Sequence, residues 1–251
     1  MGIFVLVHGG WGGGWEWREV ARRLISRGHE VFTPTLTGLG ERSHLFRPDV
    51  GLSTHVEDVA ALLRYEDLRD VVLSGHSYGG MVVTGVADRA PDRLRGLVYI
   101  DAFVPRGGQA LIELLPVEFV EAAVRRPARE RGDGWRVPFP FYDEAVNELG
   151  RAYADRMTDQ PLRTFEESLQ VSGTGNAVPR AYVRCTEGKE GGDVFAGFAE
   201  RAHAAGWTYR EIKALHDVHV VEPEALAEIL DQLAGLFSSP SAGTQTATAS
   251  S

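Results

Sequence analysis

Ser77 sits in the run Gly75-His76-Ser77-Tyr78-Gly79-Gly80, directly after the apolar segment Val71-Val72-Leu73-Ser74 and ahead of a helix-forming stretch from Gly79 to Ala90 that stops at Pro91. A serine on a tight strand-to-helix turn projects its hydroxyl at the carboxyl end of a sheet, and flanking glycines relieve the collisions of that turn. The amino terminus of the following helix offers N–H groups and a positive dipole where an oxyanion would develop. The pattern therefore points to nucleophilic catalysis by Ser77, against the alternative of a chance Gly/Ser turn. A serine hydroxyl needs a neighbouring base. Of the eight histidines, His216 is the best placed, because it falls between the last expected strand and the last expected helix, at the same edge of the sheet. His219 is the alternative, and a His216/His219 metal pair lacks companion ligands at useful spacing. His8, His29, His44, His55, His76 and His203 are expected to be structural or to border the substrate.

The third requirement is an acid that orients the imidazole and stabilises its protonated form. Asp101 ends the run Leu97-Val98-Tyr99-Ile100 and is the favoured candidate; Glu187, after Ala181 to Cys185, is the alternative, with Asp193 and Glu190 behind it. Both fit the chain order serine, acid, histidine. Asp101 could otherwise simply cap a turn. His8-Gly9-Gly10-Trp11-Gly12-Gly13-Gly14-Trp15 invites a dinucleotide reading, but the glycine spacing fails and no acid closes the second strand, where Thr33-Pro34-Thr35 stand. Instead Gly10 can offer a backbone N–H facing Ser77, forming an oxyanion hole with the N–H of Tyr78. Gly12, Gly13 and Gly14 are as readily explained by a close turn over the sheet.

Elements that would position these groups follow from apolar periodicity. Ile3 to Val7, His29 to Pro34, Val71 to Ser74 and Leu97 to Ile100 read as buried parallel strands. Between them lie helical patterns: Trp17 to Arg27 with Val20 and Leu24, and a stretch in which Thr54 and Glu57 make a capping box ahead of Val56, Val59 and Leu63. From Phe103 to Pro179 the alternation lapses into short pieces broken by Pro105, Pro116, Pro127, Pro138, Pro140 and Pro161. The sheet resumes with Ala181 to Cys185, a helix over Val194 to Ala205, a strand over Thr208 to Ala214, and a last helix starting at Pro223 with Leu226, Ile229, Leu230 and Leu233 on one face. The expected architecture is an α/β core over residues 1–102 and 180–237, an inserted helical cap over 103–179 and a disordered tail over 238–251. Trp11, His76, Trp135, Phe139, Phe141 and Tyr142 are the expected substrate-pocket residues, with packing of the cap as the other use for its aromatics.

Composition sets the frame. The chain has 251 residues, of which 43% are hydrophobic and 24% charged, enough for one large domain with a substantial core. A net charge of −9, from 26 basic and 35 acidic residues, gives no long-range attraction for nucleic acid or anionic membranes. Cys185 is the only cysteine, which excludes an intramolecular disulfide and cysteine-based metal clusters. No signal segment or membrane span is expected, and Leu6 stands where a myristoylation motif needs Ser or Thr, so the expected location is the cytoplasm.

With Ser77, Asp101 and His216 placed, the sequence resembles the α/β-hydrolase superfamily from Ile3 to Leu236. Phe4 to Gly10, Gly28-His29, the Ser77 turn and His216-Asp217 resemble the branch that holds plant methylesterases, hydroxynitrile lyases and bacterial carboxylesterases. Thr35 to His44 and Asp101-Ala102-Phe103-Val104-Pro105 look most like the bacterial esterases, which include pyrethroid hydrolases. The resemblance implies nucleophile Ser77, base His216 and oxyanion donors Gly10 and Tyr78. Plant members carry their acid after the strand matching Ala181 to Cys185, where this chain has Thr186-Glu187-Gly188-Lys189 without an aspartate, which favours Asp101. The lyases use a lysine beside the catalytic histidine; here that neighbour is Asp217. The expected function is cofactor-free hydrolysis of an ester or lactone of an apolar or aromatic small molecule, with a homodimer possible. A lyase, elimination or cyclisation enzyme of secondary metabolism using the same serine and histidine, and a non-catalytic small-molecule receptor, are the alternatives.

Overall fold

The computed structural model describes residues 1–141, 148–189 and 192–237; Tyr142, Glu190 and the tail over 238–251 lie outside the described residues. Six parallel strands form the central sheet: β1 (Ile3–Val7), β2 (Glu30–Phe32), β3 (Val71–His76), β4 (Leu94–Ile100), β7 (Arg180–Cys185) and β8 (Thr208–Ile212), in the spatial order β2-β1-β3-β4-β7-β8. The apolar runs of β1, β3, β4 and β7 are explained by burial on both faces, whereas the edge strands β2 and β8 are only partly buried, which corrects the expectation of a buried strand over His29 to Pro34. Val5, Val7, Leu73, Leu97, Tyr99 and Tyr182 enter one core, while Phe4, Leu6, Val72, Val98, Ile100 and Val183 enter the other. Alternate side chains of a strand point to opposite faces, so both sets must be apolar.

Helices α2 (Leu52–Tyr65), α3 (Gly79–Arg89) and α8 (Ala196–Ala204) cover the first face. Helices α1 (Arg18–Ser26) and α10 (Pro223–Leu236) cover the second and pack on each other. Pro223 opens α10, and Leu226, Leu230 and Leu233 are fully buried beneath it; each such side chain contributes about 1.5–3 kcal/mol relative to exposure. One expectation is corrected at α2. The helix begins at Leu52, two residues before Thr54, and the Thr54 hydroxyl accepts the N–H of Gly51 at 3.3 Å. Thr54 thus serves from inside the first turn, where a free N–H needs a partner.

Residues 103–179 carry α4 (Val117–Phe119), continued by a π-helical turn (Val120–Arg125) into α5 (Arg126–Arg131), then β5 (Arg136–Val137), α6 (Glu148–Ala154), β6 (Gln160–Pro161) and α7 (Arg163–Glu166). A short helix α9 (Val218–Val221) precedes α10. Strands β5 and β6 pair antiparallel, Arg136 with Pro161 and Val137 with Gln160. Pro161 therefore sits in a ladder where a break was expected, which a two-stranded ribbon tolerates because one side of each strand is unpaired.

Candidate active site

Strand register brings the chemistry together. Val7 pairs with Gly75, His76 with Ile100, and Ile100 with Val183, so the residues that leave these strands emerge side by side at one edge. Three of them hold left-handed backbone despite having side chains: Trp11 (φ 62°), Ser77 (φ 52°) and Asp101 (φ 40°). Such positions cost on the order of 1–3 kcal/mol each and persist only where the surroundings fix them. Here the Ser77 N–H donates to the Ile100 carbonyl at 3.3 Å, the Ser77 carbonyl accepts from Phe103 at 3.2 Å, and the Asp101 N–H donates to Val183 at 2.8 Å. Gly80 is required by the same close approach, since a Cβ there would lie 2.0 Å from the Phe103 carbonyl oxygen.

Asp101 is fully buried. Its Oδ2 accepts from His216 Nδ1 at 2.7 Å and from Lys189 Nζ at 2.9 Å, and its Oδ1 accepts the Cys185 N–H at 3.3 Å. Burial works against the charge of this carboxylate, but the hydrogen bonds and charges of His216 and Lys189 outweigh it and hold its pKa below the usual range. Because Nδ1 donates to Asp101, the His216 Nε2 is left as the ring's acceptor. The ring is stacked on Phe195 at 4.8 Å and 10°. On its other contact, His76 lies 4.5 Å away, and the His76 Nε2–H donates to the His216 carbonyl at 2.9 Å. Burial, reinforced by the nearby imidazoles of His216 and His219, pushes the His76 pKa well below its ordinary value, so His76 is a neutral tether for the His216 loop.

Ser77 and His216 line one cavity of about 580 Å³, together with Trp11, His76, Phe139 and Phe141 from the expected pocket set. They make no direct hydrogen bond there among the described residues; such bonds commonly tighten only with substrate in place. Gly10 lies on the same wall, and a Cβ on it would be 3.9 Å from that of Tyr78. The N–H groups of Gly10 and Tyr78 have no partner among the described residues. Tyr78 immediately precedes α3, with its side chain held by His55 at 2.9 Å.

Other expectations are corrected. Glu187 does not reach His216: its side chain is partly exposed and faces Lys213 at 3.8 Å. Asp193 is occupied by Arg184 at 2.8 Å and Lys189 at 3.5 Å. Trp135 does not border the cavity; it packs on Phe46 at 4.9 Å. His219 is buried against Trp17 at 4.8 Å and His76 at 4.5 Å, and among the described residues no group of three His, Cys, Asp or Glu is arranged to hold a metal. Three neighbours of the site were missed: Lys189, Phe195 and Glu16. Lys189 had a signal, being one of only two lysines among 26 basic residues and lying just past a strand end.

The model of the alpha/beta hydrolase family matches residues 4–229. The chain belongs to the α/β hydrolase family. A carbendazim hydrolyzing esterase from Nocardioides sp. (strain SG-4G) is 40% identical over 249 residues, covering 93% of this hydrolase and 100% of that protein. A pyrethroid hydrolase from Sphingobium wenxiniae is 32% identical over a shorter stretch, 41% of this chain and 37% of that one. Among solved structures, an extracellular α/β-hydrolase from a Paenibacillus species superposes with a TM-score of 0.82 at 26% identity, covering 92% of this hydrolase and 98% of that chain; it is described as sharing structural and functional homology with tobacco salicylic acid binding protein 2. With the six-stranded parallel sheet, these place the hydrolase among carboxylesterase-like enzymes. Among its described residues no helix is long and apolar enough to cross a membrane.

Proposed function

We propose that the protein hydrolyses a carboxylic ester or lactone of an apolar or aromatic small molecule, with Ser77 as nucleophile, His216 as general base and acid, and Asp101 as the orienting carboxylate. The observation that carries this reading is the 2.7 Å hydrogen bond from His216 to the buried Asp101, at a cavity that Ser77 also lines. His216 Nε2 takes the hydroxyl proton as Ser77 Oγ bonds to the carbonyl carbon; the carbonyl oxygen becomes an oxyanion held by the N–H groups of Gly10 and Tyr78. Collapse breaks the bond to the leaving alcohol, which receives the proton from His216. Water then gives its proton to His216 and attacks the acyl carbon, and Ser77 leaves with that proton as the acid is released.

The segment 103–179 acts as a cap whose Phe139 and Phe141, with Trp11 from the core, form an aromatic wall for the substrate. The esterase activities named for the relatives are in keeping with this substrate class. Turnover of 1-naphthyl acetate by the wild-type protein and its loss in Ser77→Ala is the expected result. Undiminished hydrolysis by Ser77→Ala would remove the proposal.

A further inference from the structure

The cavity that Ser77 and His216 share carries a charge to which the hydrolytic steps assign no task. Asp217, on the loop between β8 and α9, lines it beside Tyr153 and Glu16. The residue is partly buried, and its side chain does not cap α9. Among the described residues its carboxylate meets one side chain: the Tyr153 hydroxyl lies 3.4 Å from Oδ1, and that hydroxyl already donates to Glu16 Oε1 at 2.5 Å. Asp217 Oδ2 has no hydrogen-bond partner there, yet it stays accessible, whereas the unpartnered Oε2 of Glu16 is sealed off by protein. No arginine or lysine pairs with Asp217 among the described residues, and none lines the cavity. Two other titratable groups on the wall are uncharged at neutral pH. Burial pushes the Glu16 carboxyl up to about 8 against the Tyr153 hydrogen bond, and burial pushes His76 well below its ordinary value. A charge withdrawn from water is normally paired, and a lone negative charge between low-dielectric walls focuses its field on whatever enters. The remaining surface, including Trp11, Phe139, Phe141 and Met157, is apolar, and ring faces also attract cations.

We propose that the ester cleaved here carries a positively charged nitrogen, as an alkylammonium or protonated amine group, and that Asp217 is its counter-charge in the cavity. This rests on the reading of the cavity as the ester-binding site and adds a charge class to the substrate. The apolar part of such a molecule meets Trp11, Phe139 and Phe141, while its cationic end supplies the partner that Asp217 lacks. A neutral molecule of the same shape leaves the carboxylate unpaired, and an anionic one meets like charge.

Two phenols of nearly identical shape test this, (4-hydroxyphenyl)trimethylammonium and 4-tert-butylphenol. Each is read by the concentration that halves the rate at which a small fluorophosphonate labels Ser77. In the wild-type protein the ammonium compound is expected to protect at a concentration at least about tenfold lower than the neutral one. Asp217→Asn should abolish that preference, because the amide keeps the shape and loses the charge. Equal protection by the two phenols in the wild-type protein, stronger protection by the neutral one, no protection by either, or a preference that survives Asp217→Asn would overturn the proposal. The wild-type comparison needs no variant to fold. The same labelling separates the two readings: wild-type protein that is labelled without a preference between the phenols removes the charge assignment alone, whereas folded wild-type protein that takes no label removes the ester-hydrolase reading and this proposal with it.

Discussion

The two halves of the cavity are built by different means. Ser77 and Asp101 leave the adjacent parallel strands β3 and β4, and their positions follow from ladder register, backbone hydrogen bonds and left-handed turns, while His216 stands on the loop after β8 and is held by its bonds to Asp101 and His76. The opposite wall comes from short elements in residues 103–179, which place Val124, Val137, Phe165 and Leu169 in the main core. Trp11 is a further tie: its backbone N–H donates to Gln160 at 2.8 Å, its indole N–H donates to the Val137 carbonyl at 2.9 Å, and its ring meets Phe139, Phe141 and Phe165. A sheet edge is rigid because every neighbour shares its ladder, while a wall of side chains can change residue by residue. The first arrangement suits chemistry that tolerates little displacement, and the second suits choice of substrate.

Substitutions at the sheet edge should break this comparison most sharply. Asp101→Asn is expected to lower turnover by roughly 10⁴-fold, as expected when a triad acid can no longer hold the correct tautomer, while Glu187→Gln, whose side chain faces Lys213, stays within about twofold. Steady-state kinetics on one aryl ester read both; the reverse order would reassign the acid.

Stability against pH is the next largest effect. Burial holds His8 near pKa 3 and His55 and His219 near 4, so below the ordinary value of 6.5 the unfolded chain binds more protons than the folded one. Stability should therefore fall as pH drops from about 6.5 towards 4, by roughly 1.4 kcal/mol per pH unit for each histidine. Glu16 works in the opposite direction: its carboxyl is raised from 4.5 to about 8, so between those values the folded state binds more protons than the unfolded one and its contribution is lost progressively as pH rises from about 4.5 to 8. Thermal melting from pH 4 to 9 should show stability rising to about pH 6.5 and falling from there to about 8, with Glu16→Gln steepening the rise and removing the fall.

At the wall the effects should be smaller and of another kind. Trp11→Ala removes the ring contacts to Phe139 and Phe141 and should raise KM for a naphthyl ester about tenfold with less effect on kcat. Trp135→Ala, whose ring packs on Phe46 and does not line the cavity, should leave KM within about twofold while lowering stability by about 1–2 kcal/mol. Equal KM effects at Trp11 and Trp135 would mean that the wall acts as one unit.

Sequence legibility divides along the same line. The strands, the serine turn and the loop carrying His216 could be read because apolar runs and glycine spacing are local signals, and the strand end at Asp101 follows from them. Contacts made across the fold left no such signal. The lateral reach of Lys189 to Asp101, the stacking of Phe195 on His216 and the pairing of Glu16 with Tyr153 depend on residues far apart in the chain. Trp135 and Phe139 lie in one proline-punctuated stretch, yet Phe139 lines the cavity while Trp135 packs on Phe46, and the two-residue strand between them is too short to leave a period in the sequence. Of the expected cap aromatics that are described, Phe139 and Phe141 line the cavity and Trp135 does not, a sorting that only packing makes.

The most direct test of the central claim is intact-mass and peptide mapping after exposure to a small fluorophosphonate, for the wild-type protein, Ser77→Ala and His216→Ala. A single adduct on Ser77 in the wild-type protein, absent from Ser77→Ala and strongly slowed in His216→Ala, is the predicted result. Folded wild-type protein that takes no adduct, or takes it on another residue, would contradict the assignment of Ser77 as an activated nucleophile.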